Sequence, residues 1–260
     1  MTSPSTLGEQ APSSRPLRLA SWNLQSCRRG LPGIVPRLKS VAADVVALQE
    51  VDRCTGRSSG LDQAALLARE AGFAHHQFFP ALERDGGEYG LALLSRFPLA
   101  APRQDRLPVP EGVEPRVLGR ARLAHPDGEV TVAVTHLSHR IGRSGLRLGQ
   151  ARRILGLLAD ASPCVLLGDF NDVSLSPMYR ELTSKLVDLF RAAGKGRGGT
   201  HPLGRLLPAV RIDYLFASPE VVPAAARVER TDASDHHLLV AEVSVPGSGD
   251  RRAGLRVGGA

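Results

Sequence analysis

Six times along this chain, an apolar or alternating run ends on, or follows directly from, a residue able to ligate a metal or move a proton. The clearest case is Cys164-Val165-Leu166-Leu167-Gly168-Asp169-Phe170-Asn171-Asp172. A continuous apolar run bounded by glycine predicts a buried strand. Such strands in α/β proteins carry their chemistry just past their C-terminal ends. Asp169 and Asn171 stand two apart, so an extended backbone would send both side chains to one face. An Asx turn is the competing local reading of the same residues.

The device recurs. Leu17–Trp22 delivers Asn23, Val45–Gln49 delivers Glu50 and Asp52, and Val130–Thr135 delivers His136. Asp213 lies within Ile212–Ala217, and Asp235-His236 precede Leu238–Val243. A turn, a solvated acid or a satisfied histidine accounts for any one of these residues taken singly. Their recurrence at strand ends points to a shared cleft.

Between the strands, Ile34, Leu38 and Val41 recur at helical spacing, with the helix expected to begin close to Pro36. Asp62 is expected to cap a helix closed by Gly72. Further strands are expected over Phe73–Phe79, Tyr89–Leu94, Val117–Leu123 and Val130–Thr135. The last two are joined as a hairpin by His125-Pro126-Asp127-Gly128. Helices are expected over Arg147–Ala159 and Glu181–Ala193, and the proline-bearing stretch around Asp105–Glu114 reads as a loop. No linker separates two self-sufficient halves. The expected organisation is one α/β domain over 17–245, with a polar tail over 1–16 and a Gly- and Arg-rich tail over 246–260.

Composition narrows the function classes. A hydrophobic fraction of 42% supports an ordinary core. The net charge is +7, and all but Lys39, Lys185 and Lys195 of the basic residues are arginines. Arginine suits bidentate phosphate recognition, although codon bias yields the same excess. Aromatics at 4% argue against a stacking platform for single-stranded nucleic acid. Cys27, Cys54 and Cys164 form no CxxC pair and specify neither a disulfide framework nor a thiolate zinc site. The first residues lack a signal-peptide pattern, and no apolar run approaches the ~20 residues of a membrane span. A cytoplasmic monomer is expected.

Were Glu50, Asp169 and Asp235 to converge, two carboxylates about 4 Å apart would repel by roughly 4 kcal/mol at an effective dielectric near 20. Such a cluster needs a cation. Acids and amides are hard oxygen donors suited to Mg²⁺ or Mn²⁺, leaving the histidines for proton transfer or phosphoryl contacts.

The order Trp22-Asn23, Leu48-Gln49-Glu50-Val51-Asp52, Leu94-Ser95-Arg96-Phe97-Pro98, Thr135-His136-Leu137, Gly168-Asp169-Phe170-Asn171-Asp172, Arg211-Ile212-Asp213-Tyr214 and Ser234-Asp235-His236 resembles the endonuclease/exonuclease/phosphatase superfamily, the deoxyribonuclease-I-like fold. The resemblance spans about Leu17 to Val245. It implies a four-layered α/β sandwich, two mixed β-sheets face to face with helices outside. It also implies a metal site at Glu50 with Asn23 beside it and Asp235 as a further metal-site position. Asp169 would orient or deprotonate the attacking water, and His236, held by Asp213, would act on the phosphate or as base. His136 and Asn171 would bond the phosphoryl oxygens. Two positions depart from the pattern: Gln25 stands where apurinic endonucleases carry aspartate, and Leu91 where many relatives carry asparagine.

The reading is a Mg²⁺- or Mn²⁺-dependent hydrolase of phosphate esters acting by in-line water attack, with a phosphodiesterase the favoured class. A nucleic acid and a phospholipid headgroup or other small phosphoester are its candidate substrates. The alternatives are a zinc hydrolase using His136, His139, His236 and His237, and a catalytically inactive phosphate-binding module.

Overall fold

A computed structural model describes residues 15–139, 142–204 and 207–247. The tails expected over 1–16 and 246–260 fall outside these residues, except for 15–16 and 246–247.

The strands form two six-stranded sheets. The first holds β1 (Leu17–Asn23), β2 (Val45–Arg53), β3 (His75–Arg84), β4 (Gly87–Ser95), β11 (Val222–Glu229) and β12 (Leu238–Ser244), in the order β11-β12-β1-β2-β4-β3. The second holds β5 (Leu99–Leu107), β6 (Arg116–His125), β7 (Gly128–His136), β8 (Cys164–Asp169), β9 (Val187–Asp188) and β10 (Asp213–Ala217), in the order β5-β6-β7-β8-β10-β9. Both sheets are mixed. β1 and β2 run parallel across helix α1 (Leu31–Val41), and β7 and β8 run parallel across helix α3 (Ser144–Leu158). The remaining pairings are antiparallel.

Period-two alternation divides each strand between two cores. Leu17 and Leu19 of β1, Val45 and Ala47 of β2, Val132 and Val134 of β7, and Val165 and Leu167 of β8 meet between the sheets. The opposite faces pack outward. Ala20, Trp22, Val46 and Leu48 lie under α1 and α2 (Gln63–Ala71). Leu166, Tyr214 and Phe216 lie under α3 and α4 (Pro177–Thr183). The result is the expected four layers, helices–sheet–sheet–helices. Burying one leucine in such a core contributes about 1.5–3 kcal/mol.

Several local expectations hold. Asp62 caps α2 by accepting from the Ala65 N–H at 2.9 Å, and Gly72 ends it at φ 79°. His125 and Gly128 close the β6–β7 hairpin. Others are corrected. Helix α1 starts at Leu31, one turn before Pro36, which sits on the exposed face where its lost hydrogen bond leaves the buried Ile34–Leu38 stripe intact. The helix expected over Glu181–Ala193 is broken into α4, the short β9 and α5 (Leu189–Ala193), with Asp188 capping the last through the Phe190 and Arg191 N–H groups. Strand β5 occupies part of the stretch read as a loop. It is an exposed edge strand with Pro102 in a register shift between Ala100 and Arg103, so it lacks the apolar alternation that marks interior strands.

Candidate active site

At one end of the sandwich the apolar inner faces turn polar. The stripe Leu17-Leu19 continues into Ser21 and Asn23, Val45-Ala47 into Gln49, Val132-Val134 into His136, and Val165-Leu167 into Asp169. β10 begins at Asp213, opposite Asp169 in register, and His136 is likewise paired with Asp169. Parallel pairing within β1–β2 and β7–β8 sends Asn23, Glu50, His136 and Asp169 to the same end.

Glu50 reaches the cleft by breaking the alternation. Gln49 holds the inner position, bonded to Ser21 Oγ at 3.2 Å, so a regular strand would turn Glu50 outward. Instead the β2–β4 register shifts between Gln49 and Val51, and Glu50 takes a φ of 57°. A left-handed non-glycine residue costs about 1–3 kcal/mol and persists where its surroundings impose it. Its Oε1 accepts from Asn23 Nδ2 at 3.1 Å, and the same amide donates to Asp169 Oδ2 at 3.0 Å. One asparagine thus bridges two carboxylates from different sheets.

Asp169 follows the Asx-turn reading and still keeps one carboxylate oxygen for the cleft. Its Oδ1 accepts from the Asn171 N–H at 2.9 Å, an Asx turn, while Oδ2 faces the cleft. The strand ends at Asp169, and Asn171 adopts φ 50°, a left-handed position that asparagine tolerates. The two side chains therefore do not share a strand face. Asn171 Nδ2 donates to the Leu137 carbonyl at 3.1 Å. Between them Phe170 is fully buried edge-on against Tyr214 and Phe216, anchoring the turn.

Gly168 faces outward against the carbonyl of Thr135, where a Cβ would collide with backbone. The bare backbone lets β8 lie close enough to β7 to set Asp169 beside His136. Gly168→Ala is therefore expected to destabilise the fold by about 1–3 kcal/mol. Turnover should fall with it, as thermal melting and initial rates would register. An unchanged melting midpoint would contradict the close-approach explanation.

His236 closes the site from the other sheet. Its Nδ1 lies 2.9 Å from Asp213 Oδ2, so Nδ1–H donates to the carboxylate and Nε2 faces Asp169 Oδ2 at 3.8 Å. Burial opposes a charged ring here, but Asp213 and Asp169 outweigh it and lift the imidazole to about 10. Asp169 is pushed up to about 7 by burial and by Asp213, against the pull of His236 and the Asn23 amide. His136, 3.4 Å from Asp169 Oδ2, is driven well below its ordinary value by burial and then by Arg116, so its ring is neutral. Asp213 Oδ1 is buried without a hydrogen-bond partner among the described residues.

The supports are local. The Ser234 hydroxyl donates to the Asn23 carbonyl at 2.7 Å, and Trp22 Nε1 donates to the His236 carbonyl at 2.9 Å, tying the loop before β12 to β1. Thr200 Oγ1 accepts from the N–H groups of Ile212 and Asp213. The buried Arg147–Asp172 ion pair, 2.8 Å long, also reaches the Ser138 carbonyl and so joins the loops after β7 and β8.

Of the residues singled out from the sequence, Asn23, Glu50, His136, Asp169, Asn171 and His236 line one cleft of about 240 Å³, with Asp213 behind His236. Asp235 sits beside His201 and His236, their ligating atoms within 4.8 Å of one another, and no hydrogen bond links it to Glu50. Leu91 is buried between the sheets, contributing packing. The four-histidine set is not assembled among the described residues: His139 Nδ1 meets Arg116, and His237 Nδ1 accepts from the Thr231 N–H. Sequence reasoning passed over Arg28, Arg57, Arg84, Glu114 and Arg116, which also line the cleft. Nothing in the sequence sets them apart from the other charged residues.

The sequence model of the Endonuclease/Exonuclease/phosphatase family matches residues 20–236. The uncharacterized protein YbhP of Escherichia coli K12 is 24% identical over 230 residues, covering 82% of this chain and 88% of that protein. The crystal structure of an endonuclease/exonuclease/phosphatase from Beutenbergia cavernae superposes with a TM-score of 0.75 at 28% identity, covering 90% of this chain and 73% of that one. The Bacteroides thetaiotaomicron mannosyl-6-phosphatase Bt3783 shares the fold with a TM-score of 0.69 at 20% identity, covering 88% of this chain and 99% of that one.

Proposed function

The chain belongs to the endonuclease/exonuclease/phosphatase family, a family of phosphoester hydrolases, and on that premise we propose that it hydrolyses a phosphodiester with Mg²⁺ or Mn²⁺ by in-line attack of water. The observation that carries the reading is the hydrogen-bonded chain Glu50–Asn23–Asp169, closed across the cleft by the Asp213–His236 pair.

The donor set fits a hard divalent ion. Glu50 offers carboxylate oxygens, while Asn23 turns its amide N–H groups to Glu50 and Asp169 with its Oδ1 accepting from the Gln25 N–H, and Asp235 is the further expected position. When bound, the ion would neutralise charge on the phosphoryl group. The chain's own residues supply the rest. Asp169, raised towards neutrality by burial, takes the proton of the attacking water. His236 is an imidazolium at neutral pH and so donates from Nε2 to a phosphoryl oxygen rather than serving as the base. Neutral His136 and the amide of Asn171 bond the remaining phosphoryl oxygens.

Net charge and the arginine-lined cleft favour a polyanion or a charged headgroup, whether nucleic acid or phospholipid. The name of the Bacteroides relative, a monoester enzyme, brings monoesters into the test. The experiment is a panel of phosphate monoesters and diesters, plasmid DNA, RNA and sphingomyelin, assayed with Mg²⁺ at low and moderate salt. Hydrolysis of a diester is expected. A steep fall in apparent affinity with salt identifies nucleic acid, and a flat response identifies the small ester. Hydrolysis confined to monoesters would overturn the diester assignment, and no hydrolysis in any arm would overturn the whole reading.

A further inference from the structure

Behind the catalytic imidazole stands a histidine that the reaction does not use. Where the chain returns to the site, Thr200 and His201 bond to Val210, and the Thr200 carbonyl accepts from the His237 N–H at 2.7 Å. These bonds set the His201 ring against that of His236, with centroids 4.5 Å apart. One ligand atom each from His201, Asp235 and His236 lies within 4.8 Å of the other two. His201 Nδ1 is buried and has no hydrogen-bond partner among the described residues.

A neutral imidazole carries one N–H and one lone pair, and burying either unpaired is costly, so an orphaned ring nitrogen is kept where something from outside the chain meets it. The neighbours indicate what that is. Two imidazoles and one carboxylate form a mixed nitrogen and oxygen donor set, unlike the carboxylates of Glu50 and Asp169 across the cleft. Zn²⁺ suits the mixed set, whereas Mg²⁺ suits oxygens alone. The other histidine-bearing cluster, Asp169, Asp213 and His236, holds two carboxylates that the reaction already uses.

We propose that His201, Asp235 and His236 form an inhibitory Zn²⁺ site beside the Mg²⁺ or Mn²⁺ centre at Glu50. Asp213 holds His236 Nδ1, so the ion takes Nε2, the atom that donates to the phosphoryl oxygen. An imidazole carrying Zn²⁺ there has no proton to give, and turnover stops until the ion leaves. The inhibition rests on the phosphoester reading above, but the binding does not.

The test compares the wild-type protein with His201→Phe, which keeps a flat ring against His236 and removes both nitrogens. With Mg²⁺ saturating, Zn²⁺ is titrated by calorimetry, by NMR of the histidine rings and by inhibition of ester turnover. The wild type should bind one Zn²⁺, and the ring signals of His201 and His236 should shift together. His201→Phe should bind Zn²⁺ at least about 10–100-fold more weakly, the range found even when groups that merely support a ligand are removed. Inhibition should need correspondingly more Zn²⁺, while turnover with Mg²⁺ alone stays near that of the wild type. Glu50→Gln should keep its zinc affinity. Equal zinc affinity in wild type and His201→Phe would overturn the proposal, as would loss of zinc binding in Glu50→Gln alone. Should His201→Phe melt early, the wild-type ring signals decide, and their failure to move with Zn²⁺ would overturn the site. A wild type that binds Zn²⁺ in this way but hydrolyses no ester would instead overturn the phosphoester reading.

Discussion

Asp213→Asn and His236→Ala are each expected to slow turnover by roughly 10²–10⁴-fold, and the double variant scarcely more than His236→Ala alone. The reason is the single buried contact of 2.9 Å between Asp213 Oδ2 and His236 Nδ1. It fixes the tautomer, aims Nε2 at the reaction floor, and holds positive charge on a ring that burial alone would discharge. Without its histidine the aspartate has nothing to orient. A double-mutant cycle on kcat at saturating metal measures this. Strictly additive losses, or an unaffected Asp213→Asn enzyme, would mean that the two do not act as a unit.

The pH dependence gives the same pair a second signature. The imidazole is raised above its ordinary value of 6.5 to about 10, so the pair's contribution to stability is fully present below 6.5 and is lost as pH rises through about 10. Removing the Asp213 charge takes away the leading contribution that raises the ring. In Asp213→Asn the imidazole should titrate at lower pH by NMR. The alkaline fall in activity should move down with it, because the donating form is the protonated one.

The second large effect is expected at Glu50. Its left-handed φ of 57° and the bulge around it turn a carboxylate inward that the strand would otherwise send out. Glu50→Gln keeps the shape and the contact with Asn23 but removes the charge. Mg²⁺ affinity should fall by at least about 10–100-fold, the range found even when groups that merely support a ligand are removed. The melting midpoint should barely move, since the side chain is only half-buried at the cleft edge. Calorimetric titration of both proteins with Mg²⁺ checks this. Equal affinities would take Glu50 out of the ligand set.

Much of this was legible in the sequence because the cleft is built from strand ends. A strand buried on both faces announces itself as an apolar run, and its last residue then needs no tertiary information to be placed near a neighbour's last residue. Asn23, His136 and Asp169 were found that way, and each lies where its inner-face stripe ends. Trp22, Phe170 and Tyr214 alternate with site residues for the same reason: the outer face packs while the inner face reacts.

What the sequence hid depends on long-range geometry. Period-two counting would have sent Glu50 outward, because no local signal other than an acid after glutamine marks the bulge. Edge strands β5 and β11 carry Pro102 and Pro223 and leave much of their length half-exposed or exposed, so they lack the contrast on which strand recognition depends. Arg116 was indistinguishable from the arginines that merely cover the surface. Its burial follows from strand pairing and from Glu114 and His139, which lie on different segments. Likewise His201, whose ring lies with Asp235 and His236, is a residue that nothing in the sequence joined to the site.

The most direct measurement is the initial rate on the preferred ester after exhaustive chelation, followed by return of single metals. Activity should vanish with the chelator and recover with Mg²⁺ or Mn²⁺, because Glu50 and Asp169 present hard carboxylate oxygens to the cleft. Full activity in the chelated enzyme, or recovery with Zn²⁺ alone, would contradict a Mg²⁺- or Mn²⁺-dependent phosphoester hydrolase at this site.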